Sequence, residues 1–434
     1  DGTWTYTLDN SLEAVQALDV GDQRIEEFTV TSADGTSHTI AVTIHGAEDE
    51  TFITGPTTDT VKEDTDVDAG FLVAGDSLSL SISDKDAGEN KFSTVVTKVA
   101  NDDGEQPLGT LTITEGGDWS YQVSNAISGV QELGEGETRV ERFTVTSIDG
   151  SKTETIEVTI QGTNDAPIIA GDDIGRVTED FDVQAGNLLK DDGQLTISDV
   201  DAGEAKFQTS VTPVGSVIGS LTMTATGAWS YEVDNTNSAV QSLGKGETLT
   251  ETFQVLSEDG TPHNIVVTIH GVNDIPTITS GDSVTAQEDV MVDGDGNIVA
   301  TNTLVISDVD AGEEVFNAGI ATPVGSTLGS LSINAEGEWT YKVNNSLSQI
   351  QALDVNTSLT ESFIVTSADG TQHQIDVTVN GAEDPTIISS YEPGAVTEDT
   401  AGILMDSGDL SIADLDAGEA LFSTTVTKLV NSDG

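Results

Sequence analysis

The sequence predicts an all-β protein, a linear array of tandem β-sandwich domains. Three observations lead there. Trp4, Trp119, Trp229 and Trp339 recur about every 110 residues, each two positions before Tyr6, Tyr121, Tyr231 or Tyr341. Between them, apolar residues alternate with polar ones at a period of two, bounded by Gly, Asn and Asp, which is the pattern of half-buried strands. An acidic stretch also returns once per period: SDKDAGE at 83–89, SDVDAGE at 198–204 and 307–313, and ADLDAGE at 413–419. Repetition at this length means whole repeated domains, because solenoid units run only ~20–50 residues.

The period spanning 164–271 shows the expected elements in order. Asn164, Asp165, Ala166 and Pro167 punctuate a boundary. Runs at 194–198 and 207–214 alternate like strands. Leu221, Met223 and Ala225 alternate with threonines, a Thr-Gly turn follows, and Trp229, Tyr231 and Val233 share one face, which makes a hairpin. Residues 235–243 carry the single helical hint, with Val240 and Leu243 three apart, and predict a short turn crossing between sheets. Phe253 and Val255 resume the strand period, Glu258, Asp259 and Gly260 form a turn, and Ile265, Val267 and Ile269 close the unit. Around seven short strands in ~110 residues is the pattern of an immunoglobulin-like sandwich. The Trp–Tyr pairs read as core and hairpin packing. The same pattern predicts repeats at 47–162, 163–271 and 272–381, with the C-terminal half of a unit at 1–46 and the N-terminal half of another at 382–434. Each half is expected to leave open sheet edges, as in a window on a longer array.

Composition narrows the functions. The 434 residues hold 14 Lys and Arg against 76 Asp and Glu, a net charge of −62. Such a surface repels nucleic acid and anionic lipid, and it repels itself unless cations are bound. There is no cysteine, so disulfides, thiolate catalysis and zinc–thiolate sites are excluded. No apolar run approaches the ~20 residues of a membrane span.

The acids fall into three recurring groups. One is the linker pair: Glu48 and Asp49, Asn164 and Asp165, Asn273 and Asp274, Glu383 and Asp384. A second pair follows: Glu63 and Asp64, Glu179 and Asp180, Glu288 and Asp289, Glu398 and Asp399. The acidic stretch itself supplies Asp84, Asp86 and Glu89; Asp199, Asp201 and Glu204; Asp308, Asp310 and Glu313; and Asp414, Asp416 and Glu419. Calcium takes six to eight oxygen ligands and favours carboxylates at bends. The expectation is that each linker pair, the pair that follows it and the next acidic stretch fold together around Ca2+. Before the third unit that set is Asn164, Asp165, Glu179, Asp180, Asp199, Asp201 and Glu204. The competing reading is that Asp and Asn merely form turns; four copies of one arrangement in so acidic a chain favour calcium.

The repeats resemble VCBS repeats, the tandem sandwich modules of very large bacterial surface and secreted proteins akin to RTX adhesins exported by type I secretion. The resemblance rests on the Trp-x-Tyr hairpin, the Val-Gln-x-Leu turn (15–18, 130–133 and 240–243, with Ile at 350), the Phe-x-Val strand ending in an Asp-Gly turn, and the Asn-Asp-Ala-Pro-like junction. Residues 47–50 (AEDE) and 382–385 (AEDP) depart from that junction by placing Glu where Asn stands elsewhere. It implies an extracellular, calcium-rigidified extender in cell adhesion or biofilm formation, on the cell surface or secreted, and it resembles cadherin logic, in which junctional acids bind calcium. Neighbouring repeats of the same chain are its expected partners, with a host or biofilm surface engaged by domains elsewhere. The alternatives are a glycan- or surface-binding module and a self-assembling extracellular filament.

Other signals are weak. Residues 293–297 (DGDGN) imitate the start of an EF-hand loop, but Leu304 occupies the twelfth position. His38 and His45, like His263 and His270, lie seven apart and so face opposite sides of a strand. Asp34, Asp149, Asp259 and Asp369 precede Gly and read as hairpin turns. No nucleophile–base pair recurs, and no enzymatic activity is expected.

Overall fold

The computed structural model describes residues 2–101, 104–389, 393–398 and 402–429. The unit at 164–271 contains eight strands and one helical turn. In order they are β1 (Ile168–Gly171), β2 (Ile174–Thr178), β3 (Leu188–Ser198), β4 (Phe207–Pro213), β5 (Ser220–Met223), β6 (Ala228–Asp234), α1 (Ser238–Gln241), β7 (Thr248–Ser257) and β8 (Pro262–His270). They form two four-stranded sheets, ordered β1-β3-β6-β5 and β2-β8-β7-β4. Strand β1, which follows the linker and pairs with the end of β3, raises the count above the expected seven.

The core lies between the sheets. Trp229, Tyr231 and Val233 alternate inward on β6 of one sheet and face the other, where Phe253 and Val255 on β7 lie beside Ile265, Val267 and Ile269 on β8. Val240 of α1 is fully buried beneath the crossing between the sheets. Burial of each such side chain contributes about 1.5–3 kcal/mol. The Tyr231 ring meets Phe253 edge-on, with centroids 5.9 Å apart. Gly219 must be glycine, because a Cβ there would lie 2.3 Å from the Tyr231 hydroxyl oxygen.

The design repeats. A second core contains Trp119, Tyr121 and Phe143, and a third contains Trp339, Tyr341 and Phe363. Strands Ser37–His45 and Gln23–Thr31 form the same final hairpin in the first region. There Trp4 is 56% exposed, against 1–2% for the other three tryptophans.

One pairing matters most for the acids. Strand β2 runs parallel to β8, with Ile174 opposite Val266 and Thr178 opposite His270. The strands Thr58–Lys62 and Thr153–Gln161 pair the same way, as do Ser283–Gln287 and Gln372–Asn380. Because β2 and β8 point the same way, the end of β2 lies beside the residue where the chain leaves the unit.

Candidate metal centre

At the outgoing end of each unit, the parallel register fixes one glutamate. The Glu179 amide donates to the His270 carbonyl at 2.9 Å, continuing the β2–β8 ladder by one bond. Glu63 and Glu288 bond Gln161 and Asn380 in the same way, at 2.9 Å each. The chain then turns sharply: Asp64, Asp180 and Asp289 each adopt φ of 54°, a region that non-glycine residues enter at a cost. A reciprocal pair of bonds holds that turn. The Asn235 amide donates to Asp180 Oδ1 at 2.7 Å while its oxygen accepts from the Asp180 amide at 3.0 Å. Asn125 with Asp64 and Asn345 with Asp289 repeat it.

The Val-Gln-x-Leu turn has two tasks. Its Val fills the core, and its Gln orients the glutamate: Gln241 Nε2 donates to Glu179 Oε1 at 2.9 Å, and Gln131 and Gln351 donate to Glu63 and Glu288 at 2.6 Å. The other Glu179 oxygen accepts from the Val272 amide of the linker at 3.2 Å, and that of Glu63 accepts from Thr163 at 3.2 Å. Gly271 lets the strand end pass this turn, since a Cβ would lie 2.1 Å from the Leu243 carbonyl oxygen.

The acidic stretch of the following unit meets the linker from the other side. Asp201 Oδ2 accepts from the Asp165 amide at 2.8 Å. Asp86 with Asp49, Asp310 with Asp274 and Asp416 with Asp384 repeat this bond at 2.8 Å. The first Asp of each pair braces the second: Asp199 Oδ1 accepts from the Asp201 amide at 3.1 Å, and Asp84, Asp308 and Asp414 act alike. The alanine after the second Asp reaches back across the joint. The Ala202 amide donates to the Glu132 carbonyl at 3.0 Å, and Ala311 donates to Ser242 at 3.1 Å.

These joints concentrate carboxylate oxygens that no protein donor satisfies. Asp86, Asp201, Asp310 and Asp416 are at most 2% exposed, and in all four Oδ1 has no hydrogen-bond partner. Partners are also lacking for Oε2 of Glu89, Glu204 and Glu313, for Oδ2 of Asp199 and Asp308, and for Oδ2 of Asp165, Asp274 and Asp384. A buried carboxylate without a partner is costly, and one that recurs at the same atom in each copy is a donor set for a hard cation. Calcium therefore fits the residues present: oxygen-only ligands, anionic, brought together at bends.

The electrostatics agree. Burial, followed by the neighbouring charges of Asp274, Asp180 and Asp310, pushes Glu179 up to about 7 against the bond from Val272. Glu63 and Glu288 also rise to about 7, mainly by burial. Burial and then Asp201, Asp64 and Asp199 raise Asp165. Asp201, Asp274, Asp310 and Asp384 are raised for the same first reason.

This geometry corrects the grouping expected from sequence order. Glu179 and Asp180 do not join Asn164, Asp165, Asp199, Asp201 and Glu204; they face the next linker, with Asp274 and Asp310. In the same way Glu63 and Asp64 belong with Asp165 and Asp201, and Glu288 and Asp289 with Asp384 and Asp416. The parallel register of β2 and β8 is the reason. Glu398 is exposed, and Asp399 lies outside the described residues.

Sequence reasoning also missed residues. Asp19 joins Glu48, Asp86 and Glu89, and Asp354 joins Glu383 and Asp416, each set with carboxylate oxygens within 4.8 Å of one another. Asp369, expected to serve only its turn, lies within the same distance of Asp308 and Glu313. It also keeps its turn role, and bonds from Ser367 and Thr371 hold it at about 2 although burial pushes the other way. The recurring Asp-Gly was a visible signal, but nothing local to it says that the turn hangs over a joint. The loop at 293–297 is committed elsewhere: Asp293 Oδ1 accepts from the Asn297 amide at 2.9 Å, and its Oδ2 pairs with Lys342 at 3.0 Å.

No curated protein matches the chain. Among solved structures, a protocadherin gammaB7 EC3-6 cis-dimer is 13% identical over 84% of each chain, with a TM-score of 0.39. Mouse cadherin-23 EC22-24 is 13% identical over 77% of this chain and 99% of its own, with a TM-score of 0.37. The human desmocollin-1 ectodomain is 11% identical over 96% of this chain and 75% of its own, with a TM-score of 0.29. The profile of the bacterial cadherin-like domain matches residues 164–271 and 273–381, half of the chain. With its tandem sandwiches, the chain belongs to the bacterial cadherin-like domain family.

Proposed function

We propose that this chain is a calcium-rigidified extender within a large bacterial surface or secreted adhesin, of the VCBS and RTX-like kind, and that it spaces adhesive domains away from a cell in adhesion or biofilm formation. Its units are the repeats at 47–162, 163–271 and 272–381, flanked by partial units at 1–46 and 382–434. One observation carries the reading: the same buried Asp oxygen is left unpartnered beside every linker. At the joint near Asp165, the residues that would hold the metal are Glu63, Asp64, Asp165, Asp199, Asp201 and Glu204. When bound, calcium supplies positive charge to oxygens drawn from the end of one sandwich, the linker and the start of the next. The chain's own part is orientation: Gln131 aims Glu63, Asn125 holds Asp64, and the Asp165 amide fixes Asp201. Without a cation these carboxylates repel one another across the joint. The acids recur at linkers as a structural pattern, so this segment performs no catalysis. An extracellular location fits, because millimolar calcium fills sites of the 10⁻⁴–10⁻³ M class typical of extracellular modules, roughly. Among the described residues no helix is long and apolar enough to cross a membrane.

The test is small-angle scattering and thermal melting of the whole chain in millimolar calcium and in chelator. A longer maximum dimension and a higher melting temperature in calcium are expected. An unchanged dimension together with an unchanged melting temperature overturns the proposal.

A further inference from the structure

The four joints are of two kinds, and two positions change together. Where the linker carries Glu48 or Glu383, the residue after the turn leucine of the preceding unit is Asp19 or Asp354. Where the linker carries Asn164 or Asn273, that residue is Gly134 or Gly244. The structure brings these positions into contact with the same acidic stretch. In the glutamate joints, Asp19, Glu48, Asp86 and Glu89 present oxygens within 4.8 Å of one another, as do Asp354, Glu383 and Asp416. Each cluster draws on the preceding unit, the linker and the following unit.

The asparagine joints are built differently. At the Asn273 joint the cluster of Asp308, Glu313 and Asp369 lies wholly in the following unit, as Asp414, Asp416 and Glu419 do at the Glu383 joint. Among the described residues, however, neither asparagine joint has a cluster that reaches back to the preceding unit. Asn273 turns its amide toward the Asp274 carbonyl at 2.6 Å and toward Asp369 at 3.3 Å, so it donates where a glutamate can only accept. Gly244 abuts the Glu313 carboxylate: a Cβ there would lie 3.0 Å from Glu313 Oε1, and one at Gly134 would lie 2.8 Å from Glu204 Oε1. Exchanging Gly for Asp and Asn for Glu adds two carboxylates to one spot. Four clustered carboxylates repel strongly unless a cation sits among them. Each of the glutamate-joint clusters contains a buried carboxylate with an unpartnered oxygen: Asp86 is 1% exposed and Asp416 2% exposed, and Oδ1 of each has no hydrogen-bond partner. Asp201 and Asp310 share that feature, so the added carboxylates of Asp19, Glu48, Asp354 and Glu383 are what set the glutamate joints apart.

We propose that each glutamate joint holds one more divalent cation than an asparagine joint, bound by Asp19, Glu48, Asp86 and Glu89 in the first and by Asp354, Glu383 and Asp416 in the second. This rests on the reading that the joints bind calcium, and it deepens that reading. Affinity at oxygen sites rises with ligand charge, so the joints are graded. As calcium falls, the asparagine joints loosen first, and the glutamate joints keep neighbouring units locked. The array then bends at chosen places instead of everywhere.

The experiment uses the whole chain, with equilibrium dialysis against calcium and metal analysis of the bound fraction. One variant converts both glutamate joints by Asp19→Gly, Glu48→Asn, Asp354→Gly and Glu383→Asn. A second runs the other way at one asparagine joint, by Gly134→Asp and Asn164→Glu; the atom in the way is the end of the flexible Glu204 side chain. The first variant should bind two fewer calcium ions per chain and the second one more. Should the first variant lose its β spectrum by circular dichroism, the gain in the second decides. An unaltered chain that binds calcium, with variants that bind the same number, overturns this inference and leaves the extender reading standing. An unaltered chain that binds none overturns both.

Discussion

Two buried carboxylates in the same unit invite comparison. Glu251 on β7 is 2% exposed, and its oxygens accept from the Ile218 amide, the Gly219 amide at 3.2 Å and the Tyr231 hydroxyl at 2.8 Å. Asp201 at the joint is equally buried, yet one of its oxygens accepts from nothing. Both patterns repeat in the neighbouring units: Glu141 and Glu361 accept from Tyr121 and Tyr341 at 2.7 Å, while Asp86 and Asp310 keep a bare Oδ1. Burial alone therefore does not distinguish a structural acid from a ligand. The count of donors does. Glu251 is complete within the protein, whereas Asp201 is complete only with something added.

Four experiments break or sharpen that contrast. The largest effect is expected from Glu251→Ala, which strands two amides and a hydroxyl in the core. The cost should be about 3 kcal/mol or more by denaturant unfolding, equal in calcium and in chelator. A cost that vanishes in chelator would mean Glu251 is part of the metal system.

Asp201→Asn is expected to behave oppositely. In calcium tenfold above the site's Kd it should lose about 1.4 kcal/mol of linked stability, and in chelator it should be neutral or stabilising because it removes a repelling charge. Equal destabilisation in both conditions would place Asp201 beside Glu251 as a purely structural acid.

Acidity gives the next test. Glu63, Glu179 and Glu288 stand near 7 in the folded chain, raised first by burial, above the ordinary glutamate value of 4.5. Between those two values the folded chain binds more protons than the unfolded one. In chelator the melting temperature should therefore rise as pH falls from about 8 to about 5, and this gain is lost as pH rises through 7. In calcium the slope should reverse, since protons compete with the metal for the same oxygens. A melting temperature in chelator that falls steadily on acidification would count against the joint electrostatics described above.

The smallest effect belongs to Asp293→Asn. Its carboxylate is already engaged by backbone amides and Lys342. The number of calcium ions bound should not change, and any loss would reopen the loop as an ion site.

Most of the fold was legible in advance. Period-two alternation located the Trp229 hairpin and the β7–β8 hairpin, and the spacing of Val240 and Leu243 marked the crossing turn. Such signals are local, because a strand's side chains alternate whatever it pairs with. The residue types of the joint were legible too: the Asp at 199, 201 and 308, and the Asn or Glu of each linker. Less legible was the partner of Tyr231. Nothing in the residues around Glu251 marks it out among 76 acids, and only the packed core shows that it is enclosed.

The sequence by itself determined the repeat, the strands and the inventory of oxygen ligands, because periodicity and turn chemistry are written in neighbouring residues. The tertiary structure alone decided which acids meet. Glu179 stands fifteen positions after Asn164 and far before Asp274 in the chain, yet it faces Asp274. An antiparallel partner for β8 would have left Glu179 at the incoming end of its unit. The observed partner is parallel, so β2 finishes where β8 finishes, and the glutamate of one unit is delivered to the linker of the next.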